Sequence, residues 1–178
     1  LNRLSESVPG ADCTGVDISR SAIRLASRKY PAHTWVIANI ARRLPLADTS
    51  CDILLSVLAP RNAAEFQRVL NPKGLLIVVI PGDRHLGQLT DLLMAQPSDQ
   101  TNKPAALTQA LSPMFDLEST REIQRNFCAS RKTISDLVAM TPLRWKSRRP
   151  SLRDIENLDQ LELTACFRIL CFRRGRDA

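Results

Sequence analysis

Apolar positions along the chain follow two periods, and the switches between them mark out the elements. Ala11 to Ile18 reads as a strand, set off by the breaker pair Pro9-Gly10. Ser19 is a helix N-cap, and Ala22, Ile23, Leu25 and Ala26 give the helix an apolar face until Pro31 stops it. Thr34 to Ala38 is a second strand and Leu44 to Asp48 a loop. Asp52 to Val57 is almost wholly apolar, the pattern of a strand buried on both faces. Arg61 to Leu70 is a helix with Ala64, Phe66, Val69 and Leu70 inward, and Asn71 to Gly74 is a turn. Leu75 to Ile80 is a fourth buried strand, closed by Pro81-Gly82.

Strand and helix thus alternate through the first 80 residues, which predicts a parallel sheet with helices on both faces. A helix follows near His85 to Met94, and the polar stretch Gln96 to Pro104 reads as a mobile loop. Phe115 to Arg125 and Glu162 to Arg173 alternate as half-buried antiparallel strands do, with a helix over Ser130 to Met140 between them. Its apolar face is Ile134, Leu137 and Val138, and Ser130, Thr133 or Ser135 can cap it.

Composition narrows the class. With 178 residues, 44% hydrophobic and 24% charged, the chain is one domain's worth of globular protein. No apolar run approaches the roughly 18 residues of a membrane span. Five scattered cysteines without CxxC spacing argue against a disulfide framework and a zinc site, and a reducing cytoplasm is the simplest setting. The net charge of +7 is uneven: residues 1–120 hold 12 Lys/Arg against 11 Asp/Glu, residues 121–178 hold 13 against 7. Arg144, Lys146, Arg148, Arg149 and Arg153 are the densest part, with Trp145 among them. Such a surface attracts phosphate backbones, and an indole can stack on a base. A solvated basic tail with a packing Trp fits the same residues.

Gly15-Val16-Asp17-Ile18-Ser19 carries the first chemistry. An acid at the carboxyl end of an early strand can accept from both ribose hydroxyls of a nucleoside; alone, it is as well read as a helix-cap carboxylate. The order GVDIS, LPLADTSCDILLS, EFQRVLNPKGLLIVV resembles a class I S-adenosylmethionine-dependent methyltransferase. Leu58 to Asn62, Ile80 to Leu86 and Met140 to Trp145 extend the resemblance to the bacterial large-subunit ribosomal RNA guanine-N1 methyltransferases, over essentially the whole chain.

The resemblance implies an α/β, Rossmann-like fold, mostly parallel with antiparallel C-terminal strands. It implies one domain over 1–178, residues 1–95 on the cofactor side and 96–178 on the substrate side. Asp17 and Ile18 would meet the cofactor ribose, Asn39 the adenine, and Leu58 and Ala59 the methionine part. Pro60, His85, Thr141, Arg144 and Trp145 would line the base site. Guanine N1 carries a proton at neutral pH, and Asp83 and His85 are both candidates to accept it or to stabilise charge developing on the base. Ribosomal RNA is the implied partner, with a homodimer an open option.

One departure stands out. The family has a glycine-rich loop after its first strand, and the six glycines here (10, 15, 74, 82, 87 and 175) cannot form one. Leu1, Leu4 and Val8 read as the tail of the helix that follows that loop, so the expectation is an N-terminally truncated form. In the family the first strand lies between the second and fourth, so its neighbours here should either close up or leave a gap. Two other readings stay open: a class I methyltransferase with another RNA or a small-molecule substrate, and a non-catalytic RNA-binding remnant.

Overall fold

A computed structural model describes residues 1–93, 103–140, 155 and 157–175. The elements run α1 (Asn2–Ser7), β1 (Thr14–Asp17), α2 (Arg20–Lys29), β2 (Thr34–Ile37), β3 (Cys51–Val57), α3 (Ala63–Val69) and β4 (Leu70–Pro81). They continue with α4 (Gly87–Leu93), α5 (Lys103–Leu111), β5 (Phe115–Ser130), α6 (Arg131–Met140) and β6 (Gln160–Arg174). The local chemistry is as the sequence suggests. The Ser19 hydroxyl accepts from the Ala22 N–H at 3.2 Å, Asn62 caps α3 through Glu65 N–H, and Ser130 Oγ caps α6 through Thr133 N–H.

The strands form two sheets. β1 and β2 pair in parallel; the larger sheet has the order β3-β4-β6-β5. There β3 and β4 are parallel, with Val57 opposite Val79, and β6 runs antiparallel to both β4 and β5. No ladder joins β1 to β3 among the described residues, so the gap stays open. The small sheet is held by packing instead: Val16, Ile40 and Leu46 lie against the main core. Phe66 and Val69 of α3, Leu76, Val78 and Ile80 of β4, Leu107 and Leu111 of α5, and Leu170 and Phe172 of β6 build that core. A second cluster (Leu89 and Leu93 of α4, Ile134 and Val138 of α6, Leu163 of β6) sits on the opposite face at the far end of the sheet. Helices therefore cover both faces, as the alternation implied.

Several expectations need correcting. β3 is not buried on both faces: Ile53, Leu55 and Val57 are 58%, 41% and 49% exposed, because no described layer covers that side of the free edge strand. On α2 only Ile23 is buried and Leu25 faces solvent, since the two-stranded sheet is too narrow to cover a wider stripe. Ala63, not Ala64, packs inward on α3. β5 is an edge strand exposed along most of its length, Leu117 and Ile123 included, and it continues five residues past Arg125. α5 begins at Lys103, inside the stretch whose polarity predicts a loop, and the sequence pattern predicts no helix over the rest of it. Most of the loop over 96–104 lies outside the described residues.

Candidate active site

The carboxyl ends of β3 and β4 adjoin, because the two strands are parallel and in register. Leu58 follows β3 with φ +51°, a left-handed conformation that a bulky L-residue adopts at a cost of about 1–2 kcal/mol. Its N–H donates to Val79 O of the neighbouring strand at 3.0 Å, which fixes the turn while the side chain stays exposed. Ala59 is half-buried and Pro60 exposed beyond it. Leu86, after β4, has φ +52°. Two strained leucines at neighbouring strand ends are the kind of outlier that collects at functional sites.

Between β4 and α4 the backbone turns back on itself. Gly82 N–H donates to Cys166 O at 2.9 Å and Leu86 N–H to Thr164 O at 2.8 Å, so the turn is laced to β6. Gly82 is required here, because a Cβ would collide with Cys166 Sγ. Inside this turn the Cys166 N–H donates to His85 Nδ1 at 3.3 Å. The imidazole rests against the Phe167 ring, centroids 4.5 Å apart. Partial burial holds the His85 pKa below its ordinary value. Asp83 is half-exposed and pairs with Arg168 at 3.3 Å, and Arg168 also binds Glu122 at 2.8 Å. An Asp already engaged by a guanidinium is a weaker proton acceptor than a free one.

Asp17 ends β1. One carboxylate oxygen accepts from Ser19 N–H at 2.8 Å, and no described residue engages the other. Ile18 beside it is 65% exposed. Asn39, after β2, is exposed, and its Oδ1 accepts from Ala41 N–H at 3.0 Å, so that oxygen serves the local turn. The following loop is clamped: Arg68 of α3 donates to the carbonyls of Leu44 and Leu46 and pairs with Glu65 and Asp48. Glu65 in turn accepts from Leu44 N–H at 2.7 Å.

Leu58, Ala59 and Pro60 follow β3, whereas Asp83 and His85 follow β4 and engage β6 through Arg168 and Cys166. The structure places Asp17, Ile18 and Asn39 at the ends of the other sheet. Thr141, Arg144 and Trp145 lie outside the described residues, as does the rest of the basic cluster, Lys146, Arg148, Arg149 and Arg153. Cys166, Phe167 and the Arg68 clamp were not anticipated. Cys166 is 81 residues from His85, and no local pattern announces a hydrogen bond at that separation.

Residues 2–78 match the family model for a methyltransferase domain. The chain is 32% identical over 82% of its length to the 23S rRNA (guanine(748)-N(1))-methyltransferase of Streptomyces fradiae, of which it covers 51%. A Micromonospora griseorubida protein named for the same class of reaction is 33% identical over 97% of the chain, which covers 59% of it. The chain therefore spans little more than half the length of these curated relatives. Among solved structures, a SAM-dependent methyltransferase from Methanosarcina mazei superposes with a TM-score of 0.58 at 16% identity, over 98% of this chain and 87% of that one.

Proposed function

We propose that the chain is part of a class I S-adenosylmethionine-dependent methyltransferase and serves methyl transfer to N1 of a guanine in large-subunit ribosomal RNA. One observation carries the substrate. The likeness to relatives named for that reaction is not confined to the general domain match over residues 2–78, but takes in 97% and 82% of the chain. Residues 1–95 would form the cofactor side and 96–178 the substrate side.

The residues present fit the adenosine half of the cofactor. Asp17 offers an acceptor-only carboxylate oxygen with no described partner, as two vicinal hydroxyls require, and Ile18 an exposed apolar surface beside it. For the amino-acid end the sequence supplies no glycine-rich loop. When bound, the sulfonium supplies an electrophilic methyl group, so the demand on the protein is alignment more than activation. Leu58 and Ala59 would flank the methionine part, and the fixed turn at Leu58 keeps that segment from shifting. Pro60, His85, Thr141, Arg144 and Trp145 would hold the base, and the basic residues after 120 the phosphates. The target base must be in a loop or flipped out to be reached.

The test joins this chain to the preceding portion of the Streptomyces fradiae relative and assays methylation of transcribed 23S rRNA. N1-methylguanine, read as a reverse-transcription stop and by nucleoside mass spectrometry, is the expected product. Methyl incorporation at another atom, or into small molecules only, would overturn the proposal. For the chain alone we expect cofactor binding weaker than micromolar by calorimetry, since the adenosine-side residues sit on a sheet not bonded to the other. The open gap also favours a second reading, RNA binding without transfer by this chain, whose mark is salt-dependent RNA affinity with no cofactor affinity.

A further inference from the structure

We propose that His85 is held as the neutral Nε2–H tautomer and acts as a hydrogen-bond donor to the exocyclic oxygen of the target base, not as the group that removes its proton. The inference rests on the guanine reading above and assigns a role within that site.

The tautomer follows from the turn. A backbone N–H can only donate, so the Cys166 amide requires an unprotonated, accepting Nδ1. At the end of the β4–β6 ladder the regular pairing stops after Pro81 and Phe167. Gly82 still donates to Cys166 O, but the Gly82 carbonyl is turned away to accept from His85 N–H at 3.0 Å. The Cys166 amide is left without a strand carbonyl, and the imidazole takes that place. Protonating Nδ1 would put two donors face to face in a half-buried site. The Phe167 ring at 4.5 Å limits rotation of the imidazole.

With Nδ1 committed, the remaining proton is on Nε2. That atom has no partner among the described residues, and it is not buried: Ser56 Oγ is the one side-chain polar atom both buried and unpaired there. An N–H that is neither paired nor fully buried therefore stands in the turn that follows β4, on its β6 side. Such a group cannot accept the N1 proton without giving up its own arrangement. It can donate to the oxygen on the adjoining carbon, where negative charge collects as N1–H is lost. Asp83, Glu122 and Arg168 lie in the same region, but Arg168 already engages both carboxylates.

Two substitutions separate the two nitrogens. His85→Asn can keep an acceptor near the Nδ1 position and loses the outward donor. His85→Gln can keep an amide donor near the Nε2 position and loses the acceptor. A purely structural histidine would be replaced better by Asn in every assay. The probes are two single-stranded RNA oligonucleotides that differ only in guanine or 2-aminopurine, which lacks the oxygen, at one site. Long-range nitrogen–proton NMR of the whole chain at pH 7.5 should show an unprotonated Nδ1 and a protonated Nε2. The guanine oligonucleotide should shift the Nε2 signal and bind about five- to tenfold more tightly than its partner. His85→Asn should abolish that preference with stability retained, and His85→Gln should retain part of it with stability lowered. A protonated Nδ1, or RNA binding that ignores both the oxygen and His85, overturns the inference and leaves the RNA reading standing. No binding of either oligonucleotide overturns both.

Discussion

Leu58 ties backbone strain to the site more directly than any other single residue. Its φ of +51° is one that glycine reaches without penalty. Leu58→Gly should therefore leave stability unchanged or raise it by up to about 1 kcal/mol, while Leu58→Val, β-branched in the same conformation, should lower it by about 1–2 kcal/mol. Urea denaturation at neutral pH checks both, and a loss with glycine would show that the Leu58 side chain packs more than its exposure implies. Part of this was legible in advance. Asp17, Leu58 and His85 stand out as residues because strand ends and motif order single them out. The φ of Leu58 and the nitrogen of His85 that is occupied are set by tertiary partners, and those leave no trace in a local pattern.

Contacts between elements explain why the turn and the loop beside the strand ends hold their shape. A Cβ on Gly82 would strike Cys166 Sγ, so Gly82→Ala should cost about 1–3 kcal/mol. Cys166→Ala removes that sulfur. A double-mutant cycle should return a favourable coupling, and plain additivity would mean that the backbone of the turn, not the side chain, resists the methyl group. The second device is the Arg68–Glu65–Asp48 clamp. The Arg68 hydrogen bond, with burial opposing and the Leu44 amide helping, pushes Glu65 down to about 2 from 4.5. A carboxyl depressed on folding adds stability that is complete above 4.5 and lost as pH falls towards 2. Lower urea midpoints from pH 4.5 to 3 are expected, and Glu65→Gln should flatten that segment of the curve. Glu65 and Arg68 are three apart on a short helix and read as an ordinary exposed pair. What they hold lies some 20 residues upstream, so the clamp was hidden. α5 escaped for a related reason: its inward residues Leu107 and Leu111 give one weak repeat behind a polar run. The larger strands and helices were legible because core-facing periodicity is strong in each.

At the scale of the whole molecule, alternation correctly implied a parallel sheet with helices on both faces, but an apolar strand is buried only if something lies over it. Ile53, Leu55 and Val57 point to one side of β3, and in register with them stand Leu75, Ile77 and Val79 of β4. Ile169 and Cys171 of β6 continue the same surface, in register with Val79 and Ile77. β1 and β3 also lack a ladder to each other, so exposed apolar side chains and unpaired backbone edges occur together. Both features promote association through sheet edges or faces. The isolated chain should therefore self-associate at micromolar concentrations, visible as concentration-dependent sedimentation. Leu55→Lys places a charge in the middle of the face at a position already 41% exposed, so it should shift the chain towards monomer with little loss of folded signal by circular dichroism. A wild-type chain that remains monomeric up to about 100 μM would mean that this face is covered in solution by part of the same molecule. In that case the exposure of β3 would not persist in solution.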